Sequence, residues 1–346
     1  MIKLNFNLVT MNKFRILLFP FALVYLGITT FRNFLYDINF LKSYSFDSTI
    51  IGVGNLSLGG TGKTPFVEFL IKKYSKRFNI ALISRGYKRK SIGFYKADSN
   101  SSPDLIGDEP FQIFKKFSNI TVAVDKNRAN AISKILNEEK RTNLFILDDS
   151  FQHRKVKPNV NIILTTFNDP FYDDCIFPIG NLRESKKSIN RADIVVVTKS
   201  PKDLKTDKKN QIKSKLNIAH HQNVFFTSIN YGNVLKGDAN FKINDLKNKK
   251  ILIVSGIANS RSFVEFFSQN NIEYEHVNFS DHHNYTQEDI NKIESDNESL
   301  IITTEKDFQK IQFLERKNKW SYLEIETKFI GDEEKFDSVL QRSFTM

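Results

Sequence analysis

The stretch from Ile50 to Leu70, IIGVGNLSLGGTGKTPFVEFL, leaves the chain few ways to fold. Its apolar, β-branched start suits a buried strand. Phe66, Val67, Phe69, Leu70 and Ile71 suit the packed side of a helix, and the turn between is rich in glycine. Strand, glycine-rich turn and helix in that order build a cradle for nucleotide phosphates. Gly59, Gly60 and Gly62 let the turn through Thr61 point its N–H groups inward. The helix start adds the positive end of its dipole, and Lys63 brings a point charge to the terminal phosphates. The hydroxyl of Thr64 suits Mg²⁺, so ATP with Mg²⁺ is the expected pair of cofactors. The pattern G-x-x-x-x-G-K-[ST] asks for glycine where Ser57 stands, and the glycines just before Lys63 partly compensate. A plain β-to-α turn with a chance lysine is the alternative; the order of the elements speaks against it.

From about Phe46 to Tyr231, β-branched runs alternate with helical ones: Ile80 to Ser84, Ile120 to Val124, Leu144 to Leu147, Val160 to Leu164 and Ile194 to Thr198. Near-continuous apolar strands separated by helices predict a parallel sheet buried on both faces. A smaller α/β unit begins near Gly237, with strands at Ile251 to Ser255, Glu273 to Asn278 and Leu300 to Thr304 and a helix from about Ser260 to Gln269. The expected class is α/β: a P-loop NTPase-like parallel sheet flanked by helices, a second smaller α/β domain and an N-terminal membrane-associated helix. The expected divisions are residues 1–35, 36–232 and 233–346, the last closing over the active-site cleft.

The N-terminal segment is read from its charges. The first ten residues are polar and irregular, and Met11 restarts ahead of Lys13 and Arg15, so those ten are expected to be dispensable. Ile16 to Phe31 then runs without a charge between Arg15 and Arg32. At about 1.5 Å per residue it reaches roughly 24 Å, short of a hydrocarbon core of roughly 30 Å. No small-residue cleavage site follows it, which disfavours a signal peptide. The reading is a helix lying in or dipping into the inner leaflet, with both arginines snorkelling. The alternative is a buried core helix interrupted by Pro20.

Fifty-one lysines and arginines against 39 acids leave a net charge of +12, which attracts anions of any kind. Much of the excess is lysine between Lys202 and Lys215, a solvated face. Neither an aromatic RNA-binding signature nor zinc-finger spacing is present, so nucleic acid is not an expected partner. The single cysteine, Cys175, excludes an internal disulfide and fits a reducing compartment.

Leu144 to Asp149, LFILDD, is a hydrophobic strand ending in two carboxylates. In P-loop proteins such a strand end lies beside the phosphate loop and carries the acid that holds Mg²⁺, here Asp148 or Asp149. Gln152 and His153 follow and can face the same cleft. A GTPase is the rival reading: Thr198-Lys199-Ser200-Pro201 begins a guanine-reading motif, but Pro201 stands where that motif needs aspartate. A basic nucleic-acid-binding ATPase rests on net charge alone.

With these residues in view the chain resembles the tetraacyldisaccharide 4′-kinases over nearly its whole length. The resemblance lies in VGNLSLGGTGKTP around Lys63, SRGYKR at Ser84 to Arg89, GDEP at Gly107 to Pro110, LDDSFQHR at Leu147 to Arg154 and GNLRES at Gly180 to Ser185. It continues in RADIVVVTK at Arg191 to Lys199, SGIAN at Ser255 to Asn259, SDHHNY at Ser280 to Tyr285 and TEKD at Thr304 to Asp307. Ser150 and Ser185 depart from the glycine and proline usual there.

The resemblance implies ATP-dependent phosphorylation of the 4′-hydroxyl of an acylated glucosamine disaccharide 1-phosphate in lipid A biosynthesis. It places that reaction at the cytoplasmic face of the bacterial inner membrane, with the lipid surface as partner and no obligate protein partner. It also implies that Asp108 is catalytic, that His282 partners it with His283 able to exchange roles, and that Arg128 and Arg183 meet phosphate charge. Glu184 completes the Mg²⁺ shell, and Arg85 and Tyr87 belong to a substrate-facing loop. A second-domain histidine meeting a first-domain aspartate would require the cleft to close.

Overall fold

The computed structural model describes residues 13–344 apart from 248 and 296–298; the restart at Met11 lies outside the described residues. The chain forms two compact units, the first made of Met1–Arg85, Asn127–Ser228 and Lys328–Met346, the second of Gly86–Lys126 and Ile229–Thr327. One division between the units falls at Ser228–Ile229. In two places the units differ from the expected domains. Gly86–Lys126 joins the second unit because its helix Asp108–Lys116 packs against the helix Glu305–Ile311. The C-terminal helix Glu333–Gln341 joins the first, where Phe336 lies 6.0 Å from Phe66 and 5.3 Å from Phe225, ring centre to ring centre. Neither pairing is written in local periodicity.

In chain order the described strands are β1 Thr49–Asn55, β2 Ile80–Ser84, β3 Tyr95–Lys96, β4 Thr121–Val124, β5 Leu144–Asp148, β6 Val160–Thr166, β7 Ile194–Thr198, β8 Asn223–Gly237, β9 Ile251–Ser255, β10 Glu275–Asn278, β11 Leu300–Thr304 and β12 Trp320–Phe329. The first unit orders them β8-β7-β6-β1-β5-β2, every neighbouring pair parallel. Both β1 and β5 are buried end to end, as strands covered on both faces must be. Val53 of β1 stands opposite Asp148 of β5, so the glycine-rich turn and the paired acids leave the same edge of the sheet. In the second unit β10, β9, β11 and β12 are parallel in that order, and β3 pairs antiparallel with β4. Strands β8 and β12 fall outside the runs anticipated from the sequence; β8 carries Asn230 and Gly232 mid-strand, residues that ordinarily punctuate strands.

The N-terminal segment is a 3₁₀ turn, Lys13–Leu18, leading into an α-helix, Phe19–Asp37. Pro20 sits in the first turn of that helix, where no backbone donor is needed, and interrupts nothing. The buried-core alternative does not hold: Leu17, Phe21, Val24, Ile28 and Phe31 are 62–74 % exposed and recur every three to four residues along one face. Ala22 and Tyr36 are buried. The apolar helical stretch Arg15–Asp37 is 23 residues, longer than the uncharged run; within it Arg32 donates to the Gln152 carbonyl, and Asp37 meets Arg154 at the surface. By length and composition it is sufficient to cross a membrane.

Candidate active site

The helix Lys63–Tyr74 begins at the expected lysine, and Gly62 before it has φ +81°, a left-handed conformation that a side chain would strain. Lys63 Nζ lies 3.2 Å from Asn55 Oδ1 and 3.3 Å from Asp149 Oδ1. Asp149 leaves β5 with φ +48°, an unusual conformation that aspartate tolerates better than most residues. Arg183 Nη1 donates to both of its carboxylate oxygens at 2.9 Å, and to Gln152 Oε1 at 3.3 Å. Burial alone would raise the Asp149 carboxyl, but the Lys63 and Arg183 charges outweigh it and hold it at about 2. Lys63, Asp149, Arg183 and Gln152 thus form one charged cluster beside the turn Gly59, Gly60, Thr61, Gly62. Ser84 Oγ donates to Asp148 Oδ2 at 3.3 Å.

Two further predicted residues are held differently. Arg128, 3 % exposed at the start of the helix Arg128–Glu138, donates at 3.3 Å to the main-chain carbonyls of both Asp148 and Asp149, bracing the strand end. Glu184, 1 % exposed, accepts from Asn33 at 2.7 Å and from Arg191 at 2.5 Å. Its carboxylate is therefore bonded to the N-terminal helix.

The second unit brings the other predicted pair together. Helix Asp108–Lys116 starts at Asp108 after Gly107, whose φ is +93°. Asp108 Oδ2 lies 3.0 Å from His282 Nδ1 and 2.9 Å from Lys310 Nζ. Burial pushes the Asp108 carboxyl up, but the His282 hydrogen bond and the Lys310 ammonium bring it below the usual carboxylate range. Lys306 Nζ stands 3.0 Å from His282 Nε2 and 3.1 Å from Glu109 Oε1. His282 itself has φ +57°, and the edge of the Tyr87 ring packs on it at 5.4 Å. The neighbouring His283 is differently employed: its Nε2 meets Asp289 Oδ2 at 3.0 Å, in the capping box of the helix Gln287–Glu294, and its ring stacks on Phe279 at 4.5 Å. Asp108 and His282 belong to the same compact unit, so their meeting requires no closure between units.

The model of the tetraacyldisaccharide-1-phosphate 4′-kinase family matches residues 14–345. The chain belongs to this family. It is 45 % identical over 334 residues to the tetraacyldisaccharide 4′-kinase of Flavobacterium johnsoniae, covering 96 % of this chain and 98 % of that one. The enzyme of the same name from Bacteroides thetaiotaomicron is 41 % identical over 308 residues, with 84 % and 81 % covered. The crystal structure of the "apo" form of LpxK from Aquifex aeolicus in complex with ATP superposes with a TM-score of 0.78 at 30 % identity, covering 96 % of this chain and 99 % of that one. The activity is that of a lipid kinase, phosphate transfer to the 4′ position of a tetraacyldisaccharide.

As a tetraacyldisaccharide 4′-kinase the chain shows several contacts that local sequence reasoning passed over. Thr198 Oγ1 donates to the Thr61 carbonyl at 2.8 Å and Lys199 Nζ to the Gly60 carbonyl at 2.7 Å. The two residues that begin a guanine-reading motif in the sequence therefore brace the phosphate turn from behind. Asn55, fully buried at the end of β1, orients Lys63; an amide closing an otherwise apolar strand was the available signal. Lys306 stood within the TEKD stretch without a role attached to it, and Lys310 carried no signal apart from lying one helical turn beyond.

Proposed function

We propose that this kinase binds ATP in the turn Gly59 to Thr64 and uses Asp108 with His282 to take the proton from the attacking 4′-hydroxyl of an acylated glucosamine disaccharide 1-phosphate. The observation that carries this reading is the 3.0 Å contact between His282 Nδ1 and an Asp108 carboxylate kept ionised. An anionic carboxylate orients the imidazole and stabilises the cation formed when the ring takes a proton, a combination that contributes about 10² to 10⁴ in rate. Lys63 and Arg183, now paired with Asp149, are the cations that would meet the charge spread over the transferred phosphoryl group. Arg128 supports them by fixing the main chain of both acids.

The donor set fits Mg²⁺. Thr64 offers a hydroxyl and Asp148 and Asp149 offer carboxylates, all hard oxygen ligands. Among the described residues no three acids, histidines or cysteines stand close enough to hold a metal by themselves, which suits an ion shared with substrate phosphates. When bound, the ion neutralises negative charge on those phosphates. Glu184 Oε2 accepts from Arg191 and Asn33, while its buried Oε1 has no hydrogen-bond partner among the described residues and is open to complete the Mg²⁺ shell.

The exposed apolar stripe of the N-terminal helix rests in the lipid surface on the cytoplasmic side of the inner membrane, with the acyl chains of the substrate beside it. The helix embeds and does not cross, since its opposite face is bonded to the protein by Tyr25, Arg32 and Asn33. Incubating purified protein with γ-labelled ATP and the acylated disaccharide tests the assignment. Label should enter the lipid with wild type, and His282→Ala and Lys63→Ala should each abolish most of it; undiminished labelling by His282→Ala would remove the proposed base.

A further inference from the structure

We infer that Lys306 is a positioning residue: its ammonium holds His282 in the one ring tautomer that leaves Nε2 free to accept a proton. The inference rests on the reading of His282 as part of the base and gives a role to a residue of the TEKD stretch that the resemblance left without one.

Both ring nitrogens of His282 are engaged, and each contact dictates the same hydrogen placement. A lysine ammonium has three donors and no acceptor, so Nε2 at 3.0 Å from Lys306 Nζ must present its lone pair. An ionised carboxylate only accepts, so Nδ1 at 3.0 Å from Asp108 must carry the hydrogen. The ring is thereby set as Nδ1–H with Nε2 as the acceptor.

Without Lys306 the surroundings favour a hydrogen on Nε2 as well. Glu109 Oε1 lies 3.6 Å and Asp281 Oδ2 4.0 Å from Nε2. Two carboxylates on that side, with Asp108 still holding the hydrogen of Nδ1, would draw a second hydrogen onto Nε2 and leave the ring no lone pair to accept the hydroxyl proton. Lys306 answers both, at 3.1 Å from Glu109 and 3.6 Å from Asp281, while it donates to the ring. Its side chain is 17 % exposed, and it projects from the helix Glu305–Ile311 one turn ahead of Lys310, which grips Asp108 and the His283 carbonyl. One short helix thus holds both members of the pair. When the sugar hydroxyl arrives it takes the position of the ammonium at Nε2, and Lys306 stays tethered to the two carboxylates.

The test uses full-length protein with ¹⁵N-labelled histidine, with His282→Asn to assign the signals of that ring among the six histidines. In wild type, long-range ¹H–¹⁵N spectra should show a protonated Nδ1 and a bare Nε2. In Lys306→Met the ring should gain a hydrogen on Nε2 while keeping that on Nδ1, and kcat at saturating ATP and lipid should fall about tenfold or more, within the range a general base contributes. The KM for ATP should change less than twofold. Lys306→Arg should restore the tautomer and most of kcat. Circular dichroism should match wild type for both variants; if Lys306→Met misfolds, Lys306→Gln replaces it. An unchanged His282 spectrum in Lys306→Met, or kcat within twofold of wild type, overturns the inference. If instead the spectrum shifts as expected while His282→Ala keeps full turnover, the lysine sets the tautomer and the base assignment is what fails.

Discussion

The phosphate cluster and the base cluster each set a lysine against a carboxylate, yet they are assembled in opposite ways. In the first, Lys63 and Asp149 leave adjacent parallel strands of one sheet, and the ion pair occupies the place where nucleotide charge is expected. In the second, Asp108 and His282 are 174 residues apart and are brought together by two helices packing within one compact unit. On the proposed reading the first lysine exchanges its partner for phosphate during the reaction cycle. The second, Lys310, keeps its carboxylate ionised throughout. Charge can therefore be built to be surrendered or built to be kept, and the two clusters should respond differently to mutation.

The largest separation between them is expected from Lys63→Ala. Removing the phosphate cation should lower kcat by about 10³ with the fold unchanged by circular dichroism, since preorganised charge stabilises the transferred group and does not pack the core. Near-normal turnover at saturating ATP would make the two clusters equivalent in no useful sense and would remove the cradle reading.

Next in size are Asp108→Ala and His282→Ala. Each should cost at least about 10² in kcat with modest change in ATP affinity, and the double variant should be little worse than the poorer single one, because the two act as a unit. Losses that multiply would dissolve the pair. His283→Ala should leave kcat within a few fold and instead lower Tm, since that ring serves a helix cap and a stacking contact.

A smaller effect separates the clusters by pH. The folded Asp149 carboxyl, held at about 2, lies below the ordinary aspartate value of about 4, so its ionic contacts stabilise the fold above pH 4 and are lost as pH falls toward 2. The Tm difference between wild type and Asp149→Asn should be greatest near neutrality and should close on acidification. A gap that widens on acidification would mean the ion pairs with Lys63 and Arg183 do not form in solution.

The smallest expected change is that of Tyr25→Phe, which deletes the 3.0 Å bond from the N-terminal helix to the Arg183 carbonyl. A loss of about 1 kcal/mol in stability is expected, with vesicle binding intact. Phe21→Ser combined with Ile28→Ser should do the reverse, releasing the protein from vesicles with little change in Tm.

How much of this could be read beforehand follows from the same contrast. Strand, turn and helix around Lys63 declared themselves because the physics of a phosphate cradle is local: glycine φ values, a helix start and a charged residue within a dozen positions. Strands β2, β7, β9 and β11 were likewise legible to the residue, being short apolar runs buried on both sides. Asp108 and His282 are single polar residues without periodic support, and only resemblance to a family drew them out. The placement of Gly86–Lys126 in the second unit was not legible, because it depends on helix packing between residues nearly two hundred positions apart. The surroundings of Glu184 were not legible for a related reason: its neighbour Arg183 joins the Lys63 cluster, while Glu184 Oε2 meets Asn33, 151 positions away in the chain.

The bonds from Tyr25, Arg32 and Asn33 to the segments bearing Arg183 and Gln152 give the N-terminal helix a role like that of a keel. On the proposed membrane reading, these hydrogen bonds tie the depth of its apolar stripe to the height at which Arg183 is held above the lipid. An enzyme built that way would gauge its substrate by the distance from bilayer surface to reacting hydroxyl. Headgroup size, far more than tail length, should then set which lipids it can phosphorylate.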